Sequence, residues 1–253
     1  MVALTASGLM AAAIGSPSLA GETQRTDPAP LRIAMVLFPG MTALDVVGPQ
    51  VLLAGLAGPQ LHLVAGRTGP VASDTGLEIV ATSDFDTCPR DLDILLVPGG
   101  DGTPDQMADV ALLAFLRDRA ERAAWIGSVC TGSLILGAAG LLTGYRATSH
   151  WCVRDAVLPL LGAIPVAERV VFDRNRVTAA GVSAGLDLAL ALSARLRDPD
   201  YARTSQLVAE YAPQPPFAAG TPEAAGPAIT QAAMAVLKEL TERSLAAARA
   251  RRG

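Results

Sequence analysis

Short apolar runs alternate with segments of helical periodicity along most of this chain. The apolar runs cover residues 31–38, 61–65, 93–97 and 125–129. Buried parallel strands have this continuous apolar character, and successive parallel strands need a long crossover, usually a helix. The alternation therefore predicts an α/β fold, in which helices cover both faces of a mostly parallel sheet.

The remaining elements follow from the same patterns. Helices are predicted over residues 44–56, 110–121, 131–139 and 182–196. A hairpin is predicted to join residues 170–172 to residues 177–179, and residues 77–81 are expected to form part of another. Unusual sequences stand at three strand ends, namely residues 38–40 (FPG), 98–100 (PGG) and 128–130 (SVC). Because open sheets bind ligands beyond the carboxyl ends of their strands, the site is expected at this edge.

The two ends of the chain differ from its middle. Residues 1–30 are predicted to be a signal-like leader and linker, since residues 2–20 are small and apolar and SLA at 18–20 precedes a glycine. Export to the periplasm is one interpretation. No Lys or Arg precedes Arg25, so a cytoplasmic leader is the alternative. Residues 31–217 are predicted to form one domain. Residues 218–253 add a loop and a terminal helix, whose apolar stripe over 229–245 must pack on the domain or on a dimer partner.

Composition excludes several classes of function. The net charge of −4 argues against a basic nucleic-acid-binding face. Three cysteines without a CxxC pair form neither a disulfide framework nor a zinc site, and two histidines are a poor ligand supply, so no metal is expected. No run after the leader is long and apolar enough to span a membrane. Cys88 and Cys152 are interpreted as structural.

The strongest local signal surrounds Cys130, in GSVCTG at residues 127–132. A buried strand leads there directly into a helix of small residues, and such an elbow presents its central side chain at the top of the sheet. The helix N-terminus should lower the thiol pKa and favour thiolate. The alternative is a buried cysteine that fills space. No histidine adjoins Cys130, although His150 could approach it in space or simply cap a helix.

A second signal is Asp45, near the start of the helix predicted at residues 44–56. An acid there could interact favourably with the helix dipole. Its neighbours Leu44, Val46 and Val47 are apolar, so it could instead be buried beside the thiol. Burial would raise the carboxyl pKa and allow proton transfer to and from a reaction intermediate. The sequence leaves both interpretations open.

Five segments together resemble the DJ-1/PfpI superfamily and, within it, the isonitrile hydratases. They are FPGMTALDVVGP, LLVPGG, GSVCTGSLILGAAGLLTGYRATSHW, VTAAGVSAGLDLAL and QLVAEYAPQPPF. The resemblance covers about residues 31–217. It implies a flavodoxin-like three-layer sandwich of the class I glutamine amidotransferase-like type, and a homodimer.

The resemblance also assigns roles to individual residues. Cys130 would be the nucleophile, Asp45 the acid/base carboxyl, and Thr131 a hydroxyl that hydrogen-bonds the reacting groups. The turn at Gly99 and Gly100 would supply backbone donors near the thiol. The segment at Gly181 and Val182 would line the pocket.

The implied reaction adds water to a small isonitrile and gives an N-substituted formamide, with no metal or organic cofactor. A stress or redox protein with an oxidisable cysteine, and a ligand-sensing domain related to AraC-type regulators, are the alternatives. Related peptidases and glyoxalases carry a His after the cysteine or a Glu on the first helix. This chain has Thr131 and Asp45 instead, which argues against those two activities.

Overall fold

The computed structural model describes residues 30–57 and 60–251. A seven-stranded sheet forms the centre, and two small sheets of two strands each accompany it. The strands are β1 (Ile33–Val36), β2 (Leu61–Ala65), β3 (Gly69–Ala72), β4 (Glu78–Ala81), β5 (Ser83–Asp84), β6 (Ile94–Val97), β7 (Trp125–Val129), β8 (Arg146–Ala147), β9 (Ile164–Pro165), β10 (Val170–Asp173) and β11 (Arg176–Ala179).

The central sheet is almost entirely parallel. Its order is β10-β11-β7-β6-β1-β2-β5, and only the β10–β11 hairpin at one edge is antiparallel. Strands β1, β6 and β11 are buried along their whole length. That burial explains their apolar sequences, because a strand covered on both faces has no solvent-facing positions for polar residues.

Helices cover the sheet and complete the three-layer α/β architecture predicted from the sequence. They are α1 (Ala43–Ala57), α2 (Thr103–Gln106), α3 (Val110–Ala120), α4 (Gly132–Ala138), α5 (Trp151–Val157), α6 (Ala184–Leu196), α7 (Pro199–Val208), α8 (Pro222–Ala225), α9 (Pro227–Val236) and α10 (Lys238–Ala250). Helix α1 packs on α6 and α6 on α7, whereas α4 packs on α2 and α3.

Most predicted elements lie where the sequence placed them, with small shifts at their ends. The runs at residues 61–65 and 125–129 are strands of those bounds, and the predicted hairpins are β3–β4 and β10–β11. The run at 31–38 is a strand only over Ile33–Val36. The two-residue strands β5, β8 and β9 were not predicted, because so few residues carry no periodicity. Helix α7 was also missed.

The C-terminal region differs from its prediction. The single helix expected over residues 229–245 is two helices that meet at Leu237, and α8 lies inside the predicted loop. No Gly or Pro near Leu237 signals this break. Helix α10 packs on α5 and α2 and buries Ser244 and Ala248 completely. The predicted leader lies outside the described residues. Across the described part of the chain, every helix is too short or too polar to cross a membrane.

Candidate active site

Cys130 lies at a strained turn between β7 and α4. Its φ angle is +57°, a left-handed conformation that residues other than glycine rarely adopt. The Cys130 N–H donates to the carbonyls of Ala179 and Ala180, at 3.1 and 3.0 Å, and these bonds tie the turn to the end of β11. A Cβ at Gly132 would lie 2.3 Å from the Val97 carbonyl oxygen, so only glycine fits at the start of α4. The elbow predicted from the sequence is therefore present.

The left-handed conformation should be measurable as strain at Cys130. We expect the Cys130→Gly variant to be more stable than Cys130→Ala by about 1 kcal/mol, because glycine adopts positive φ without a Cβ clash. Urea denaturation of both variants would measure the difference. Equal stabilities, or a more stable alanine variant, would contradict a strained elbow at this residue.

Asp45 is buried in the first turn of α1, with no exposed surface. Its Oδ2 accepts a hydrogen bond of 2.9 Å from the Gly99 N–H. Within the described part of the chain, the buried Oδ1 has no hydrogen-bond partner. Burial raises the pKa of Asp45 from 3.8 to about 7, and the negative charge of Asp74 adds to the rise, whereas the Gly99 N–H and the Cys130 thiol oppose it. Asp45 can therefore gain or lose a proton near neutral pH.

The thiol itself has an environment that opposes ionisation. Cys130 is only 5% exposed. Burial, followed by the charge of Asp45, raises the Cys130 pKa well above its ordinary value, although the N–H groups of Thr131 and Val182 lower it. The expectation of a resting thiolate is therefore wrong, because desolvation outweighs the helix N-terminus.

The turn at Gly99 and Gly100 holds the other candidate residues in place. The Gly99 N–H is used by Asp45, and the Gly100 N–H donates to Thr131 Oγ1 at 3.0 Å. The turn lies near Cys130 as expected, but both N–H groups are already engaged, which corrects the expectation that they supply donors near the thiol. The backbone N–H groups of Thr131 and Val182 instead hydrogen-bond the sulfur and lower the Cys130 pKa. A Cβ at Gly99 would lie 2.4 Å from Thr131 Oγ1, so the approach is too close for any side chain.

His150 belongs to a neighbouring group rather than to a dyad with Cys130. Its Nδ1 lies 3.0 Å from Cys152 Sγ and accepts from the Cys152 N–H at 3.4 Å, so it caps α5. The ring fills the space at Gly181, where a Cβ would lie 2.4 Å from His150 Cδ2. Burial lowers the His150 pKa and favours the neutral ring. Among the described residues, no group of three or more His, Cys, Asp or Glu side chains could hold a metal ion.

Three site residues were missed in the sequence. The hydroxyls of Ser149 and Ser133 donate to the Cys130 carbonyl at 3.1 and 3.4 Å, and Thr103 Oγ1 lies 2.7 Å from Thr131 Oγ1. All three are small hydroxyl residues without exposed surface. Only Thr103 could have been identified from the sequence, because it follows the Gly-Gly turn at the end of a strand by three residues, in GGDGTP.

Comparison with known proteins identifies the family. The sequence model of the DJ-1/PfpI family matches residues 31–195. Isonitrile hydratase from Pseudomonas putida is 47% identical over 223 residues, which are 85% of this chain and 97% of that protein. The transcriptional regulator CdhR from Pseudomonas aeruginosa is 32% identical over 56% of this chain, but over only 42% of the regulator.

A solved structure gives the same result. The THiJ/PfpI family protein from Pseudomonas syringae is 49% identical and superposes with a TM-score of 0.85, over 92% of this chain and 97% of that chain. The fold, the elbow at Cys130 and the family match over residues 31–195 agree. This chain belongs to the DJ-1/PfpI family.

Proposed function

We propose that this protein hydrates an isonitrile to an N-substituted formamide, with Cys130 as nucleophile and Asp45 as acid/base. The observation that carries the proposal is the buried Asp45 carboxyl, whose pKa of about 7 suits proton exchange and whose charge interacts with the Cys130 thiol. The 47% identity with isonitrile hydratase over most of both chains supports this substrate class.

In the first proposed step, the Asp45 carboxylate takes the thiol proton while Cys130 Sγ attacks the terminal isonitrile carbon. An S–C bond forms, one C–N bonding pair becomes a lone pair on the nitrogen, and Asp45 returns the proton to the lone pair that the carbon already carries. The product is a covalent thioimidate, R–N=CH–S–Cys130. A cysteine suits this step because its sulfur is strongly nucleophilic once deprotonated.

In the second proposed step, water adds to the thioimidate carbon. Asp45 takes a proton from the water and passes it to the nitrogen, and a tetrahedral intermediate forms. The C–S bond then breaks as the C=O bond forms, and Asp45 takes the hydroxyl proton and returns it to the departing Cys130 sulfur anion. The N–H groups of Thr131 and Val182 stabilise the negative sulfur at both ends of the cycle. The sum is one isonitrile and one water giving one formamide.

The alternative functions have less support at this site. Oxidation of a redox-sensing cysteine needs an exposed thiolate, whereas Cys130 is buried and its pKa is raised. A ligand-sensing role would use the same site without turnover, and part of this sequence is similar to the transcriptional regulator CdhR. Sequence-specific DNA binding in a gel-shift assay would favour it.

A substrate panel tests the proposal. The wild-type protein is incubated separately with a simple alkyl isonitrile, with methylglyoxal and with a peptide, and products are identified by proton NMR. We expect formamide from the isonitrile and no turnover of the other two. Turnover of methylglyoxal or the peptide, with no formamide, would reject the proposed activity.

We further propose that the protein is a homodimer. Three apolar side chains on α1, Leu44, Val47 and Val51, are 42%, 38% and 60% exposed at helical spacing. Exposed apolar stripes of this kind are commonly covered by a partner. Light scattering after size-exclusion chromatography should give twice the chain mass, and the mass of a single chain would contradict the proposal.

A further inference from the structure

The Thr131 side chain does not cap α4, although its position predicts that it should. Thr131 is the N-cap of α4, where a threonine hydroxyl usually accepts from an N–H of the first helical turn. Its side chain makes no such bond. The hydroxyl reaches across to the β6–α2 turn instead, where it accepts from Gly100 and lies 2.7 Å from Thr103 Oγ1. Something other than helix capping therefore determines its orientation.

The hydroxyls of Thr103 and Thr131 are hydrogen-bond partners, and either oxygen could be the donor. Each hydroxyl has one proton and two lone pairs. The Gly100 N–H occupies one lone pair of Thr131. Thr103 is fully buried, and Thr131 is the hydrogen-bond partner of its hydroxyl in the described structure. Thr131 is fully buried as well, so the bond between the hydroxyls satisfies a proton that would otherwise have no acceptor, whichever oxygen donates it. Loss of the Thr103 hydroxyl would therefore leave the Thr131 hydroxyl with the Gly100 N–H as its partner at this turn.

We propose that Thr103 is a positioning residue that holds the Thr131 side chain in place beside the Cys130 site. This role rests on the proposed function. Thr131 borders the nucleophile: a Cβ at Gly99 would lie 2.4 Å from both N and Oγ1 of Thr131 and 3.0 Å from Cys130 Cβ. Thr103 acts through Thr131 and does not itself contact the substrate.

The C-terminal helix fixes the position of Thr103. Thr103 is the first residue of the short helix α2, on which α10 packs. Arg243 of α10 donates to Asp105 Oδ1 at 2.7 Å, and Arg251 donates to the Met107 carbonyl at 3.0 Å. These contacts hold both the C-terminal half of α2 and the residue that follows it. A segment outside the family match at residues 31–195 thereby supports the hydroxyl pair.

A double-mutant cycle tests the coupling between the two threonines. The variants are Thr103→Val, which removes only the hydroxyl, Thr131→Val, and both together. We expect Thr103→Val to lower kcat/KM for isonitrile hydration about tenfold, in line with the loss of one buried hydrogen bond. In the Thr131→Val background it should have no further effect. Thr103→Ser keeps the hydroxyl and should restore most of the activity.

A second measurement does not depend on isonitrile turnover. The rate of Cys130 alkylation by iodoacetamide at pH 8 is followed by peptide mass analysis, with Cys130→Ala as the blank. Because the Thr131 N–H favours the ionised sulfur, a loosened Thr131 should slow alkylation about threefold in Thr103→Val. Thr103→Ser should react at the wild-type rate.

The two readouts separate failure of the inference from failure of the proposed function. If the wild type hydrates isonitriles, additive losses in the cycle, wild-type activity of Thr103→Val, or no rescue by Thr103→Ser would each overturn the positioning role. If the wild type is inactive, the proposed function fails and alkylation decides. Slower alkylation of Thr103→Val with rescue by serine then supports the role, and unchanged alkylation overturns it.

Discussion

Replacement of Cys130 by alanine is expected to lower formamide production by about 10⁴-fold or more. The proposed reaction passes through a covalent bond to Cys130 Sγ, and the site described above offers no equivalent nucleophile. Asp45 alone could still activate water, but without the thioimidate both bond changes would have to occur in one step. Initial rates of formamide production, measured by NMR on wild type and variant at the same protein concentration, give the comparison.

The chain provides a matched control for this experiment. Cys88 is as buried as Cys130, but it lies in a loop beside Arg119, and its thiol donates weakly to the Pro89 carbonyl at 3.7 Å. Cys88→Ala should therefore keep wild-type turnover while removing one thiol. Circular dichroism and thermal unfolding should show that both variants are folded. Substantial turnover by folded Cys130→Ala would remove the basis of the covalent mechanism.

The architecture could be predicted from the sequence because fully buried strands consist mainly of apolar or small residues. Strands β1, β6 and β11 are covered on both faces, so almost every position in them is apolar or small. At the C-terminus, the apolar stripe over residues 229–245 predicted helical structure but not the break at Leu237. Helices α9 and α10 meet there without a glycine or proline. Tertiary contacts decide such boundaries, and a single sequence does not show them.

The candidate site was predicted in position but not in electrostatics. The sequence identified both Cys130 and Asp45, and the structure buries the two together. The direction of the thiol pKa was wrong. A helix N-terminus can be predicted from sequence, whereas the desolvation of a sulfur depends on the packing of elements that are distant in the chain. Thr103 shows the same difficulty, since its partner Thr131 is far away in the chain and only the folded structure brings their hydroxyls to 2.7 Å.

Asp45→Asn should have the second large effect on turnover, a fall of about 10²- to 10⁴-fold, because asparagine cannot exchange protons with the thiol or with water. In the wild type, the basic form of Asp45 appears as the pH passes through about 7, so the rate of thioimidate formation should rise across that range. The variant should lose this rise. Rapid-mixing rates between about pH 5.5 and 8.5, on either side of that pKa, test both expectations.

Asp74→Asn is the matched control for the pH dependence. The charge of Asp74 contributes to the raised pKa of Asp45, and its carboxylate accepts from Thr42 Oγ1 at 2.5 Å. Removing that charge should shift the midpoint of the pH–rate profile to lower pH while leaving Asp45 as the acid/base. A midpoint that does not move, or a wild-type pH profile in Asp45→Asn, would show that another group controls the reaction.

The ionisation of Asp45 should also affect stability. In the wild type, stability should fall as the pH rises, whereas activity should increase. Asp45→Asn should lose this fall in stability. Because the pKa of Asp45 is about 7 in the folded protein and 3.8 as the ordinary value, the folded state binds the extra proton between about pH 4 and 7. Stability is therefore lost as the pH rises through this window, by up to about 4 kcal/mol at about 1.4 kcal/mol for each pH unit.

The asparagine side chain carries no such proton. The stability of Asp45→Asn relative to wild type should thus be greater at about pH 8 than at about pH 5, and denaturant unfolding at both values measures it. A difference that is constant, or smaller at the higher pH, would mean that Asp45 ionises in the fold without penalty, and the acid/base role derived from its burial would fail with it.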